Sequence, residues 1–248
     1  MASLLVDIGN SRLKWAAVSN AGELRVGPAF PSSVAGLADH LDRNWAGLEA
    51  PDAVYVSNVA GAGTAGQLSA WVARRWRLPV HCVRSQAVGY GVINGYLEPE
   101  RLGVDRWVGL VALRRDYPLP ACLVDCGTAL TLDVLDAAGR HLGGLIAPGP
   151  ALMRRALFQE TQGVRPGGEP AQDILGRDTA SGVAGGIMAA CAGLVEKTLA
   201  GLAFDRLPTL VLTGGDAAAL ASALSPPCRF APDMVLRGLF IIATTEST

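Results

Sequence analysis

The spacing of apolar and polar positions changes period several times along the chain, and each change marks an element. Residues 4–24, LLVDIGNSRLKWAAVSNAGEL, begin as an apolar run that stops at Asp7, turn through Gly9 and Asn10, and continue through a second strand to another turn at 20–22. The pattern predicts a β-hairpin presenting a loop. Residues 123–142, LVDCGTALTLDVLDAAGRHL, repeat it, with Val124 on Val6, Asp125 on Asp7, Gly127 on Gly9, and a second turn at 137–139. In that superposition Leu132 falls on Lys14.

Between the copies, 23–30 extends the first hairpin as a third strand, and 34–45 carries weak helical spacing. Residues 53–57 read as a buried strand running into Asn58 and a glycine-bearing loop at 61–63. Leu68, Trp71 and Val72 share one helical face, while Arg74, Arg75 and Arg77 form a solvated face opposite. A strand follows at 80–83, and 89–96 is too polar and glycine-punctuated for regular structure. Val104, Trp107, Val108 and Val111 recur at helical spacing, so a helix begins near Gly103 and buries that stripe. Asp105 and Arg106 then lie in its first turn, off the apolar face and exposed.

Pro118 and Pro120 mark a boundary, which divides the chain into halves 1–117 and 118–248. Beyond the second hairpin come a strand at 145–147, then Pro148-Gly149 and a helix carrying Leu152, Ala156 and Leu157. A loop at 163–168 precedes a long Ala- and Gly-rich helix from Asp178-Thr179 to about Leu202, for which Thr179 is an N-cap or a ligand contact. A buried strand at 209–212 turns through Thr213-Gly-Gly-Asp into a helix, and 234–243 closes the chain as an apolar helix.

The 248 residues suffice for one large domain or two smaller ones, and the duplication favours two. Lys and Arg total 21 against 22 Asp and Glu, so there is no basic field for nucleic acid or anionic lipid. Five scattered cysteines without a C-x-x-C pair read as reduced thiols, neither a disulfide frame nor a zinc site. With no basic leader and no uninterrupted apolar run of about 20 residues, a soluble, cytoplasmic protein is expected, with no membrane partner. The chain has no Walker motif and no G-x-G-x-x-G after a strand. His40, His81 and His141 are isolated along it and read as structural or surface residues.

Candidate chemistry gathers on the two hairpins. Glycine lets backbone N–H groups approach an anion, and Asn10, Ser11 and Thr128 add side-chain donors, while each aspartate can hold a cation or position water. A repeated Asp-x-Gly loop in one register resembles the superfamily of acetate and sugar kinases, actin and heat-shock chaperones. That resemblance implies an α/β fold of two related ribonuclease H-like halves, each a mixed sheet flanked by helices, which grip ATP phosphates.

Taken in order, Asp7-Ile-Gly-Asn-Ser, Gly103-Val-Asp-Arg, Asp125-Cys-Gly-Thr-Ala and Thr213-Gly-Gly-Asp resemble the type III pantothenate kinases over nearly the whole chain. The resemblance implies phosphorylation of pantothenate by ATP, the first step of coenzyme A synthesis. It places ATP on Asp7, Ile8, Gly9, Asn10, Ser11, Arg12, Leu13, Lys14 and Thr128. Pantothenate falls to Tyr96, Gly103, Val104, Asp105, Arg106 and Thr179, with Asp105 as base. A divalent ion such as Mg2+ accompanies ATP, and Asp125 matches the holder of a monovalent cation, K+ or NH4+. A homodimer is implied, with Thr179 close to the partner subunit. Ser11 stands where the family often has threonine, which keeps the hydroxyl. Two other readings stay open: a non-catalytic ATP-binding accessory factor in transcription, and a superfamily enzyme acting on a sugar or polyphosphate.

Overall fold

The computed structural model describes residues 1–33, 35–163 and 175–246, so most of the loop expected at 163–168 lies outside the described residues. The chain forms two compact units, residues 1–116 with 233–248, and residues 117–232.

In the first unit, β1 (Ser3–Ile8) and β2 (Arg12–Val18) form the expected hairpin, extended by β3 (Leu24–Val26) and the short β4 (Phe30–Pro31). Beyond α1 (Leu37–Trp45), β5 (Ala53–Asn58) joins the sheet parallel to β1. Past α2 (Ala62–Trp76), β6 (Val80–Cys82) joins parallel to β5, giving the order β3-β2-β1-β5-β6. Alternate residues of β1, Leu4, Val6 and Ile8, bury on one face against α1 and α2. An aromatic cluster built on Trp45 fills that interface, with Trp71 edge-on at 5.5 Å and Trp15 at 5.8 Å. Leu68, Trp71 and Val72 are buried, and Arg74, Arg75 and Arg77 exposed, as their spacing requires.

The segment expected to be irregular at 89–96 instead contains a small ribbon, β7 (Val88–Gly89) paired with β8 (Val92–Ile93). Its turn residues Tyr90 and Gly91 have φ of 53° and 77°. Two left-handed residues in succession are what a tight hairpin turn needs, and glycine supplies one at no steric cost. Then α3 (Val104–Asp116) buries Trp107, Val108 and Val111, while Val104 is half-buried.

The second unit repeats the plan. β9 (Ala121–Cys126), β10 (Ala129–Leu135), β11 (His141–Pro148), β12 (Thr209–Thr213) and β13 (Arg229–Phe230) are ordered β11-β10-β9-β12-β13, with the same pattern of antiparallel and parallel neighbours as the first sheet. β11 is longer than expected because it pairs with β10 along most of its length, around a bulge near Asp133. There His141 and Asp133, both buried, meet at 2.8 Å, so His141 has a structural partner the sequence did not reveal. The helices are α4 (Pro150–Glu160), α5 (Thr179–Gly201) and α6 (Ala217–Ala223). By length and composition α5 is apolar enough to cross a bilayer, but Ile187, Cys191, Ala192, Val195 and Leu199 pack it into this unit's core.

The boundary after residue 116 lies beside the expected one, but the end of the chain returns to the first unit. There α7 (Met234–Glu246) packs on α3 and β1, whereas the sequence division placed it in the second half. Its apolar residues need a sheet face to cover, and that of β1 and β5 is where they go. Gly238 makes this possible, since a Cβ there would run into the Val108 carbonyl of α3.

Candidate active site

In the first hairpin, Asp7 lies opposite Lys14 on β2 and beside Ser57 on β5. Residues directly opposite on antiparallel strands project to one face, so Asp7 and Lys14 share it. The Gly9 N–H donates to the Arg12 carbonyl at 3.0 Å, closing a turn on which Asn10, Ser11 and Arg12 are exposed. Ile8 and Leu13 are fully buried in the unit's core. Of the residues assigned to ATP, these two therefore offer a ligand only backbone. The Lys14 ammonium reaches the Asp233 carboxylate at 3.2 Å, a partner not expected from the sequence.

The second loop is one residue shorter than the first: Ile8 and Leu13 close one, Cys126 and Leu130 the other. The residue opposite Asp125 is consequently Thr131, not the Leu132 given by ungapped superposition. Neither is a cation, so the difference between the loops persists. Gly214, at φ 96°, packs so closely that a Cβ would collide with the Asp125 carboxylate and the Cys126 carbonyl. Gly149 does the same against the Gly127 carbonyl, and its N–H donates to the Thr128 carbonyl at 3.0 Å. The Asp216 N–H donates to the Cys126 carbonyl at 2.9 Å. The loop carrying Asp125 and exposed Thr128 is thus held between two glycine backbones. Burial pushes the Cys126 thiol up to about 12, which keeps it neutral there.

A third cluster forms at the start of α3. Gly103 accepts the Trp107 N–H at 2.9 Å, and a Cβ on it would stand 2.8 Å from an Asp105 oxygen. Glycine is therefore required for Asp105 to sit as it does, with one carboxylate oxygen accepting the Arg106 N–H at 2.8 Å. Arg106 departs from expectation: it is 7% exposed, folded back so that its guanidinium donates to the Tyr96 hydroxyl at 2.6 Å and lies over that ring. The aromatic ring and hydroxyl give the cation a partner away from water, which an exposed first turn does not.

Asn94 organises this cluster, a role not found in the sequence. Buried, it donates to the Gln86 and Pro99 carbonyls at 3.1 and 3.0 Å and accepts the Tyr96 N–H at 3.0 Å. Its amide ties the ribbon, Tyr96 and the turn before α3 together. The Ser85 hydroxyl, donating to the Leu102 carbonyl at 2.7 Å, adds a second tie. The only available signal was an asparagine amid glycines, which ordinarily marks a turn.

Thr179 is not an N-cap. Asp178 takes that place, with the Ser181 N–H donating to its carboxylate at 2.9 Å, and Thr179 follows as the first residue of α5, exposed. It stands on the rim of a cleft of about 780 Å³ between α4 and α5, walled by Leu152, Ala156, Leu157, Gly182 and Gly186. Tyr96, Gly103, Val104, Asp105 and Arg106 are brought together in the first unit, which also carries the separate hairpin of 7–14. Asp125, Thr128 and Thr179 belong to the second unit.

A model of the type III pantothenate kinase family matches residues 3–200. A type III pantothenate kinase of Nitrosococcus oceani is 37% identical, with 98% of this chain and 94% of the relative covered. One from Burkholderia vietnamiensis is 40% identical, with 97% and 95% covered. Among solved structures, a Campylobacter jejuni protein assigned to the Baf family of transcriptional activators has a TM-score of 0.62 at 19% identity, with 98% of each chain covered. An activator of 2-hydroxyisocaproyl-CoA dehydratase from Clostridium difficile, with ADPNP bound, has a TM-score of 0.58 at 13% identity, with 100% and 96% covered. At these identities the solved structures speak for the fold, two related ribonuclease H-like halves of the acetate and sugar kinase and actin type. The two near-complete relatives, the family model, and the Asp-x-Gly loops and Gly-x-Asp-Arg turn point one way: this chain belongs to the type III pantothenate kinase family.

Proposed function

We propose that this chain transfers the γ-phosphoryl group of ATP to the primary alcohol of pantothenate, giving 4'-phosphopantothenate and ADP. The observation that carries the reading is the cluster at the start of α3, where the Asp105 carboxylate sits beside a buried Arg106 held by Tyr96, in a chain of this family. In this reading Arg106 offers a planar fork that suits the carboxylate of pantothenate, and Asp105 is the base that takes the proton of the alcohol. As the alcohol oxygen bonds to phosphorus, its proton passes to Asp105, and the bond from phosphorus to the bridging oxygen breaks with its electron pair leaving on ADP. Such a transfer asks chiefly for positioning and charge neutralisation.

Asn10, Ser11, Lys14 and Thr128, with the backbone of Ile8 to Leu13, supply phosphate donors in this reading, and Tyr96, Gly103, Val104 and Thr179 border the pantothenate. A divalent ion with ATP neutralises phosphate charge, and Asp7 is the carboxylate of the first loop suited to it or its water. The second loop suits a monovalent cation. The Asp125 carboxylate, closely backed by Gly214, offers the hard oxygens appropriate to such an ion. Two chains pair as a homodimer through α4 and α5, whose apolar and small residues, Ala156, Leu157, Gly182 and Gly186, stay exposed around the cleft. The cytoplasm is the corresponding compartment.

A coupled assay of ADP release, with and without pantothenate, tests the activity. Release that depends on pantothenate, with a phosphorylated product recovered, is expected. ATP binding without any such product would instead favour a non-catalytic accessory role, and turnover on a sugar or polyphosphate would favour the other superfamily reading.

A further inference from the structure

The chain crosses between its two units twice, after Asp116 and before Asp233, and at each crossing an acidic residue is paired with a cation of the first unit. Asp116 accepts both arms of the Arg237 guanidinium, at 2.6 and 3.0 Å. Asp233 takes Lys14 at 3.2 Å. The second pair is unlike the first because its cation belongs to the hairpin loop assigned to ATP. Asp233 is also held at φ 58°, a left-handed conformation uncommon outside glycine, and its carbonyl accepts the Arg237 N–H that begins α7. The backbone that fixes the carboxylate is therefore fixed in turn by the start of a helix.

We propose that Asp233 is a positioning residue that holds Lys14 in reserve, so that ATP phosphate must take the lysine from it. This rests on the reading of the 7–14 loop as a phosphate site. The ammonium carries one unit of charge, and both side chains of the pair are about one-third exposed, at 34% and 28%. Such a pair is worth up to about 1 kcal/mol, which corresponds to about a fivefold change in an equilibrium constant. Nucleotide binding that breaks the pair loses that much affinity, because only the fraction of molecules with Lys14 released is ready for phosphate. By the same linkage, bound nucleotide frees Asp233 at the second crossing while leaving the Asp116–Arg237 pair in place.

The test uses Asp233→Asn, Lys14→Gln and the double variant, with affinity for a non-hydrolysable ATP analogue measured by calorimetry at fixed Mg2+. Asparagine keeps the shape and tolerates positive φ, so Asp233→Asn is expected to melt as the unaltered chain does. It should bind the analogue about two- to fivefold more tightly, a gain that a merely structural role would not produce. Lys14→Gln should weaken binding, and adding Asp233→Asn to it should change nothing further. If Lys14→Gln weakens binding but Asp233→Asn does not tighten it, or tightens it equally in the Lys14→Gln background, Asp233 does not act through Lys14. If Lys14→Gln leaves affinity unchanged, the phosphate role of Lys14 fails, and the proposal fails with it.

Discussion

At the scale of single residues, variants in the cluster around Asp105 test the proposed base and the proposed binding group separately. Asp105→Asn keeps the size of the side chain and removes its basicity. Turnover should fall by about 10²-fold or more while the affinity for pantothenate is largely retained. Near-normal turnover in that variant would remove Asp105 as the base. Arg106→Lys keeps the charge but loses the planar fork and the fit over Tyr96, so the KM for pantothenate should rise more than kcat falls. An unmoved KM would make Arg106 structural. An acid in a first helical turn is ordinary, so Asp105 was legible through the Gly-Val-Asp-Arg motif that carries the family resemblance. The burial of Arg106 was not, because its partner Tyr96 arrives from a different segment.

At the scale of elements, the two hairpins share a register of aspartate and glycine but differ in loop length and in the residue across from the aspartate. An ungapped superposition carries one register through both turns, so the residue missing from the second loop set buried Leu132 on Lys14 in place of Thr131, a slip that moves a residue to the opposite face of the sheet. The close approach of Gly214 to Asp125 yields a sharp prediction. Gly214→Ala forces a Cβ onto the carboxylate at a positive φ. ATP affinity and any response to potassium should therefore drop together, and the melting temperature should fall as well. Unaltered nucleotide affinity would mean that the second loop does not hold phosphate. Potassium itself is checked by titrating potassium chloride against sodium chloride at constant ionic strength. A rate that rises with potassium, and a weaker rise in Asp125→Ala, are expected; a flat response in the unaltered chain would rule the ion out.

At the scale of the whole molecule, the proposed pairing of two chains rests on α5. One side of it carries the core of the second unit, and the other presents Gly182, Gly186 and Ala190 to an apolar cleft shared with α4. Small residues on an exposed face permit close helix contact, and the apolar cleft beside them favours burial. Sedimentation at micromolar concentration should therefore find a dimer. Replacing Gly186 by Glu should shift it to monomer with the fold retained; an active monomer in the unaltered chain would reject the pairing.

The sequence alone determined the duplicated sheet plan, the family motifs and the buried faces of the helices, because each of these is written in local periodicity or in residues close along the chain. Tertiary structure decided what needed partners from afar. Among these are the return of α7 to the first unit, the glycine walls at 149 and 214 around the second loop, and the Lys14–Asp233 pair. In each, the informative contact joins segments far apart in the chain. A residue that meets its partner only after folding leaves no period or spacing by which to be read.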